Sequence, residues 1–93
     1  MMDNPDIRTL AAASGRIAVF FKLEARKAAD NRRLWSAVYN MHIAAAAARI
    51  TAERYQGTSL ERDYKALAAE CEAAVVDYEA EARMEDNRRR AAQ

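Results

Sequence analysis

Two side chains in this sequence carry the intrinsic chemistry of a catalytic pair: a lone histidine, His42, and a lone cysteine, Cys71. If the chain folds back near Gly57 the two come within about one helical turn, and a thiol beside an imidazole is the minimal nucleophile–base arrangement. Their neighbours argue against that use. Cys71 is flanked at helical spacing by Leu67, Ala74 and Val75, where a cysteine behaves as a small, inert hydrophobe. A carboxylate metal site in a helical bundle wants Glu-x-x-His, yet Tyr39 stands three residues before His42 and Ala45 three after. His42 is therefore expected to be a partly buried, hydrogen-bonded structural residue. One cysteine and one histidine make no zinc spacing, and Gly15 and Gly57 are too far apart for a phosphate loop. The carboxylates Glu70, Glu72, Asp77, Glu79, Glu81, Glu85 and Asp86 fall mostly on what should be the solvent side of one helix. The expectation is a protein that is not an enzyme and needs no metal or cofactor.

The arginines are more informative. Twelve of the 15 basic residues are arginine, whose planar guanidinium favours bidentate contact with carboxylates or phosphates. Two clusters stand out, Arg32-Arg33 and Arg88-Arg89-Arg90, each preceded by Asp-Asn. Trp35 follows the first cluster closely, and tryptophan beside arginine is the grouping that binding hot spots favour. Arg32, Arg33, Trp35, Arg88, Arg89 and Arg90 are thus the candidate partner-binding residues. For nucleic acid the pattern is weaker: formal net charge is only +1, no aromatic residue interleaves with the arginines, and no helix-turn-helix is legible.

The elements that must position these groups are helices. Of 93 residues 23 are alanine, with two glycines and one proline, so the chain reads as all-α and only 25 larger apolar residues remain to build a core. A chain this short is marginal alone, which points to oligomerisation or a partner. Asn4-Pro5-Asp6 reads as a helix start, Gly57 as a helix end in the left-handed conformation, and Thr58-Ser59-Leu60-Glu61 as a capping box. Helical segments are expected over about 5–29, 31–56 and 59–90 in a single domain spanning 1–93, with Ala91-Ala92-Gln93 fraying.

Around the Gly57-Thr58 turn two seams match. Leu34, Val38, Met41, Ala45, Ala48, Ala52 and Tyr55 are spaced 4, 3, 4, 3, 4, 3, and Leu60, Tyr64, Leu67, Cys71, Ala74, Tyr78 and Glu81 repeat the spacing. This predicts an antiparallel hairpin with Ala45 and Ala48 opposite Cys71 and Leu67, and with Ala47 lying away from the seam. The middle helix carries a second apolar face, Trp35, Tyr39, Ile43, Ala46 and Ile50, roughly opposite the first. Its natural cover is the stripe Ile7, Leu10, Ala13, Ile17, Phe20, Phe21 and Ala28 of the first segment. A turn at Asp30-Asn31 would close a three-helix bundle; without it, Pro5 to Gln56 is one helix of ~78 Å and the stripe is buried only in a long-helix dimer. Under the first arrangement Trp35 is core; left uncovered, it is a binding residue.

Charge divides between the arms: residues 1–56 carry net +4 and residues 57–93 net −3, which suits a basic first arm lying against an acidic last one. The longest charge-free run, Leu34 to Ala48, is too short for a membrane span, Met1 to Asp6 has no basic leader region, and a lone cysteine fits a reducing compartment. No membrane association is expected, and the location is expected to be cytoplasmic. By elimination, the functional expectation is a non-catalytic protein–protein interaction protein: a small helical adaptor, an inhibitor of a larger machine or a structural component of an assembly. It would be a homodimer and would suit a phage or mobile element. The alternative is nucleic-acid binding through the arginine clusters.

Overall fold

The computed structural model of the chain describes residues 7–93, with side-chain surroundings from Gly15 onward. It is all-α: α1 runs over Ile7–Asp30, α2 over Leu34–Arg54 and α3 over Ser59–Ala92. The Asn4-Pro5 start and the outer stripe residues Ile7, Leu10 and Ala13 lie outside what is described. α3 is helical to Ala92, so the expected fraying over Ala91-Ala92 is not found. Antiparallel α1 and α3 each pack along α2, and the three form a bundle measuring 59 × 30 × 17 Å.

The chain does turn after α1, at Asn31-Arg32, one residue beyond the expected Asp30-Asn31. The amide of Arg33 donates to Ala28 O at 2.8 Å and that of Arg32 to Ala29 O at 3.0 Å, the paired bonds of a Schellman end. Arg32 occupies the left-handed position with φ 60°, where glycine is usual. A residue with a Cβ pays roughly 1–2 kcal/mol there, which is why composition alone did not mark the spot. At the second turn Gly57 is left-handed at φ 84°, as its glycine predicts. The capping box is different from the expected one. The Thr58 hydroxyl donates back to Tyr55 O at 2.6 Å, and Glu61 accepts from the Gly57 amide at 3.2 Å, so both side chains tie down the turn and neither caps α3 reciprocally.

The hairpin seam forms as spaced over most of its length. Leu34, Val38, Met41, Ala45, Ala48 and Ala52 are all buried, and Ala45 and Met41 cluster with Cys71 and Val75. On α3 the stripe is rotated slightly from the expected one: Ala68, Cys71, Val75 and Ala82 are buried, while Leu60 and Glu81 are exposed. Each larger side chain enclosed here contributes ~1.5–3 kcal/mol, so Met41, Val38, Leu34 and Val75 supply most of the apolar stabilisation.

The first segment does not cover the face it was expected to cover. Buried positions on α1 are Gly15, Ala18 and Ala25, the small edge of the helix, and Ile17 and Phe20 remain 45% and 56% exposed. That edge lies against Ala44, Ala47 and Ala48 of α2, so Ala47, expected to be free, is buried. Helices meeting through glycine and alanine can approach at the short end of the usual 8–10 Å range, which multiplies backbone and methyl contacts. A Cβ on Gly15 would run into the Tyr64 hydroxyl, so α3 also comes close at this level. The two covered sides of α2 are therefore neighbours and not opposites. Thr51, fully enclosed between them, donates its hydroxyl to Ala47 O at 2.8 Å, and among the described residues no buried side-chain polar atom lacks a partner.

This packing is tested by volume. Ala48 is fully buried between Ala18 and Ala68, so Ala48→Leu should overpack the three-helix junction and cost ~1–3 kcal/mol, seen as a lower Tm. Ala73 is exposed on α3, and Ala73→Leu should leave Tm nearly unchanged. Equal melting temperatures for the two variants would mean that the junction is wrongly assigned.

Candidate interaction surface

With α1 and α3 on adjacent sides of α2, the apolar face expected to be sealed is open. Trp35 is 47% exposed, Tyr39 68% and Ile50 45%; Ala46 is also exposed, and only Ile43 is half-buried. Trp35 is thus not core. Its indole N–H donates to Asp86 Oδ2 at 3.0 Å, which fixes the ring at the edge of α3 with much of its surface in water. His42 lies on this outer side and is exposed, not partly buried. Cys71 is sealed in the core on the opposite side of α2, and loss of hydration pushes its thiol above the ordinary cysteine range. The two residues that suggested a nucleophile–base pair are therefore kept apart by the fold.

The six candidate binding residues gather at the end of the bundle where α1 turns into α2 and α3 finishes, in two groups. Arg32 donates to Glu85 Oε2 at 3.0 Å, and Arg89 to Glu85 Oε1 at 2.9 Å, so one carboxylate holds both guanidinia beside Trp35 and Asp86. Arg33, Arg88 and Arg90 are exposed and, among the described residues, have no ion-pair partner. The Arg89–Glu85 pair lies at i,i+4, but the sequence could not reveal that Arg32 and Trp35 would join it through Glu85 and Asp86, because those contacts span more than 50 residues.

At the opposite end lies a groove that sequence reasoning missed, about 520 Å³ in volume and lined by Gly15, Arg16, Val19, Phe20, Tyr55 and Tyr64. Tyr55 and Tyr64 stack with ring centroids 6.0 Å apart. Both were expected at the hairpin seam, and the half-buried pair marks where the seam opens toward α1.

The expected division of charge appears as ion pairs between arms. Lys22 reaches Glu70 at 2.7 Å, Arg26 reaches the same carboxylate at 3.4 Å, and Arg49 grips Glu72 with two bonds of 2.6 and 2.8 Å. The carboxylates that looked like solvated acid–base candidates thus serve as counter-ions. Among the described residues no group of three or more histidine, cysteine or acidic side chains is arranged to hold a metal ion, and no helix is long and apolar enough to cross a membrane.

Comparison with protein-family models, with curated proteins and with solved structures gives no match for this chain. What the fold and its surface define is an all-α bundle of three helices with an aromatic-bearing apolar face left open on its central helix.

Two outcomes follow from this geometry. Tryptophan emission of the dilute protein should be red-shifted and readily quenched by a soluble quencher, and Trp35→Ala should cost only about 1 kcal/mol, the value of one surface hydrogen bond. Blue-shifted, quencher-resistant emission with unfolding of the variant would instead make Trp35 core.

The second outcome concerns acid. Lys22 holds the Glu70 carboxyl below the ordinary glutamate range by hydrogen bond and charge, Arg49 does the same to Glu72, and Lys65 and the Gly57 amide lower Glu61. A carboxyl whose folded value is depressed stabilises the fold above its unfolded value and loses that contribution as pH falls through the folded one. Tm should therefore be level near neutrality and decline as pH drops through and below the glutamate range. Because these groups are exposed, high salt should shrink the decline. A Tm indifferent to acid, or an acid decline unchanged by salt, would contradict the assignment.

Proposed function

We propose that the protein is a non-catalytic protein–protein interaction protein, a small helical adaptor, inhibitor or structural component that works by presenting the outer face of α2 to another chain. The observation that carries this reading is the division of side chains on α2: six alanines take up most of its buried positions beside Leu34, Val38, Met41 and Thr51, while Trp35, Tyr39 and Ile50 are exposed together. Large apolar residues grouped on a surface usually belong to an interface, and aromatic residues in particular anchor binding energy. Self-association is part of the proposal, since a 10.4 kDa chain with so few large core residues gains most from burying that face. A reducing, cytoplasmic setting, such as that of a phage or mobile-element protein, suits the lone enclosed thiol.

Nucleic-acid binding is the second reading, favoured by one observation: Arg33, Arg88 and Arg90 are exposed at one end of the bundle and have no ion-pair partner among the described residues. Glu85 and Asp86 among them weaken it.

The test is mass against concentration, combined with a DNA column. Light scattering should find species heavier than the monomer at micromolar concentration, and Tyr39→Ser should shift the chain toward monomer while its helicity at matched low concentration is unchanged. A monomer at all concentrations would remove self-association. Salt-sensitive retention on DNA, lost when Arg33, Arg88 and Arg90 are replaced by glutamine, would favour the second reading over the first.

A further inference from the structure

The outer face of α2 has a positional symmetry that a foreign partner would not require. Positions 35, 39 and 42 are spaced 4, 3, and positions 43, 46 and 50 are spaced 3, 4, so the face reads the same from either end. We infer that its occupant is α2 of a second copy of this chain, packed antiparallel about a two-fold axis between His42 and Ile43. The inference rests on reading this face as the interaction surface. A two-fold interface must be self-complementary, each residue meeting the copy of one at the mirrored position.

The side chains at mirrored positions are complementary in size and in charge. The ring of Tyr39, 68% exposed, meets Ala46, whose methyl leaves room for it, and Trp35 meets Ile50. Large against small at facing positions is what lets two helices interdigitate without voids. Beyond the matched helical positions, Glu53 of one copy comes to the end of the other where Arg32 stands in the turn that leads into α2. Glu53 is exposed and has no ion-pair partner among the described residues, and the Arg32 side chain is 60% exposed with its single ion pair, to Glu85, made through one terminal nitrogen. Neighbouring Arg33, exposed and without an ion-pair partner among the described residues, adds a second cation at that end.

A parallel pairing has none of these properties. It would put Trp35 on Trp35 and Ala46 on Ala46, leaving a bulge and a gap, and would set Glu53 against Glu53, a repulsion of like charges. The surrounding helices also permit the antiparallel arrangement, because α1 and α3 cover the two adjacent inner sides of α2 and leave the outer arc clear.

Distances between spin labels read both the orientation and the register. Single cysteines are introduced at Ser36 and, separately, at Gln56 of the full chain carrying Cys71→Ala; both positions are exposed and outside the matched pairs. With mirrored positions aligned, each label is displaced from its copy by twice its axial distance from the two-fold axis, which at 1.5 Å per residue is about 20 Å for Ser36 and, with Gln56 just beyond the end of α2, about 40 Å for Gln56. Circular dichroism confirms that each labelled chain is folded. Two distances in that ratio support the inference. Two short, equal distances would mean a parallel pair, and a pair of values that no single antiparallel register fits would mean another face; either overturns this inference and leaves self-association standing. Absence of dipolar coupling together with a monomer's mass would overturn both.

Discussion

Where the three helices converge, the methyl groups of Ala18, Ala47, Ala48 and Ala68 form a buried cluster, with half-buried Leu67 packed against its edge. The rest of the structure depends on that contact. Closely approaching backbones bury alanine almost completely and gain dispersion over their whole length, but only if both partners keep their faces small. α1 therefore turns its Gly15, Ala18 and Ala25 edge inward, and its larger residues Ile17, Phe20 and Leu23 are carried outward by the same rotation. α2 is approached by α1 mainly through alanine and by α3 through Val38, Met41 and Ala45, two adjacent sides, so its aromatic residues lie on the third.

That geometry explains how a chain with few large apolar residues divides them. Met41, Val38, Leu34 and Val75 form a compact core on the α2–α3 side, with Cys71 filling its centre. On the α1 side the contact is made of methyls, of half-buried Phe21 packed against the same core, and of the Lys22 stem, whose ammonium emerges to meet Glu70. Ion pairs of the basic arms with α3 decorate the edges; being exposed, they select the arrangement more than they stabilise it. The result holds together as a bundle and leaves its most adhesive surface unspent.

Much of this was legible in the sequence. The all-α class, the Gly57 turn, the α2 seam from Leu34 to Ala52, the burial of Cys71 and the opposition of charged arms all follow from local spacing and composition. What misled was reasoning from hydrophobic size. The stripe through Ile17 and Phe20 is the more apolar edge of α1, and the Trp35 face the more apolar remainder of α2, so pairing the two looks natural. Close packing of small residues won instead, and period alone does not rank a methyl-lined contact above a large one. The turn at Arg32 was obscured for a related reason: a left-handed arginine is stabilised by a tertiary partner, Glu85, that no local rule can see. Arg32 with Trp35, and Arg89, were singled out in two separate clusters through composition; the fold brings them to one place through acidic residues that composition does not reveal.

The central claim, that α1 lies over the alanine side of α2 and leaves the aromatic side open, is tested most directly by methyl NMR with a soluble paramagnetic agent, using alanine and isoleucine labels on dilute protein. Ala44, Ala48 and Ala68 should keep their signals while Ala46 and Ile50 are strongly attenuated. Protection of Ile50 together with attenuation of Ala44 would place α1 over the other face and contradict the account.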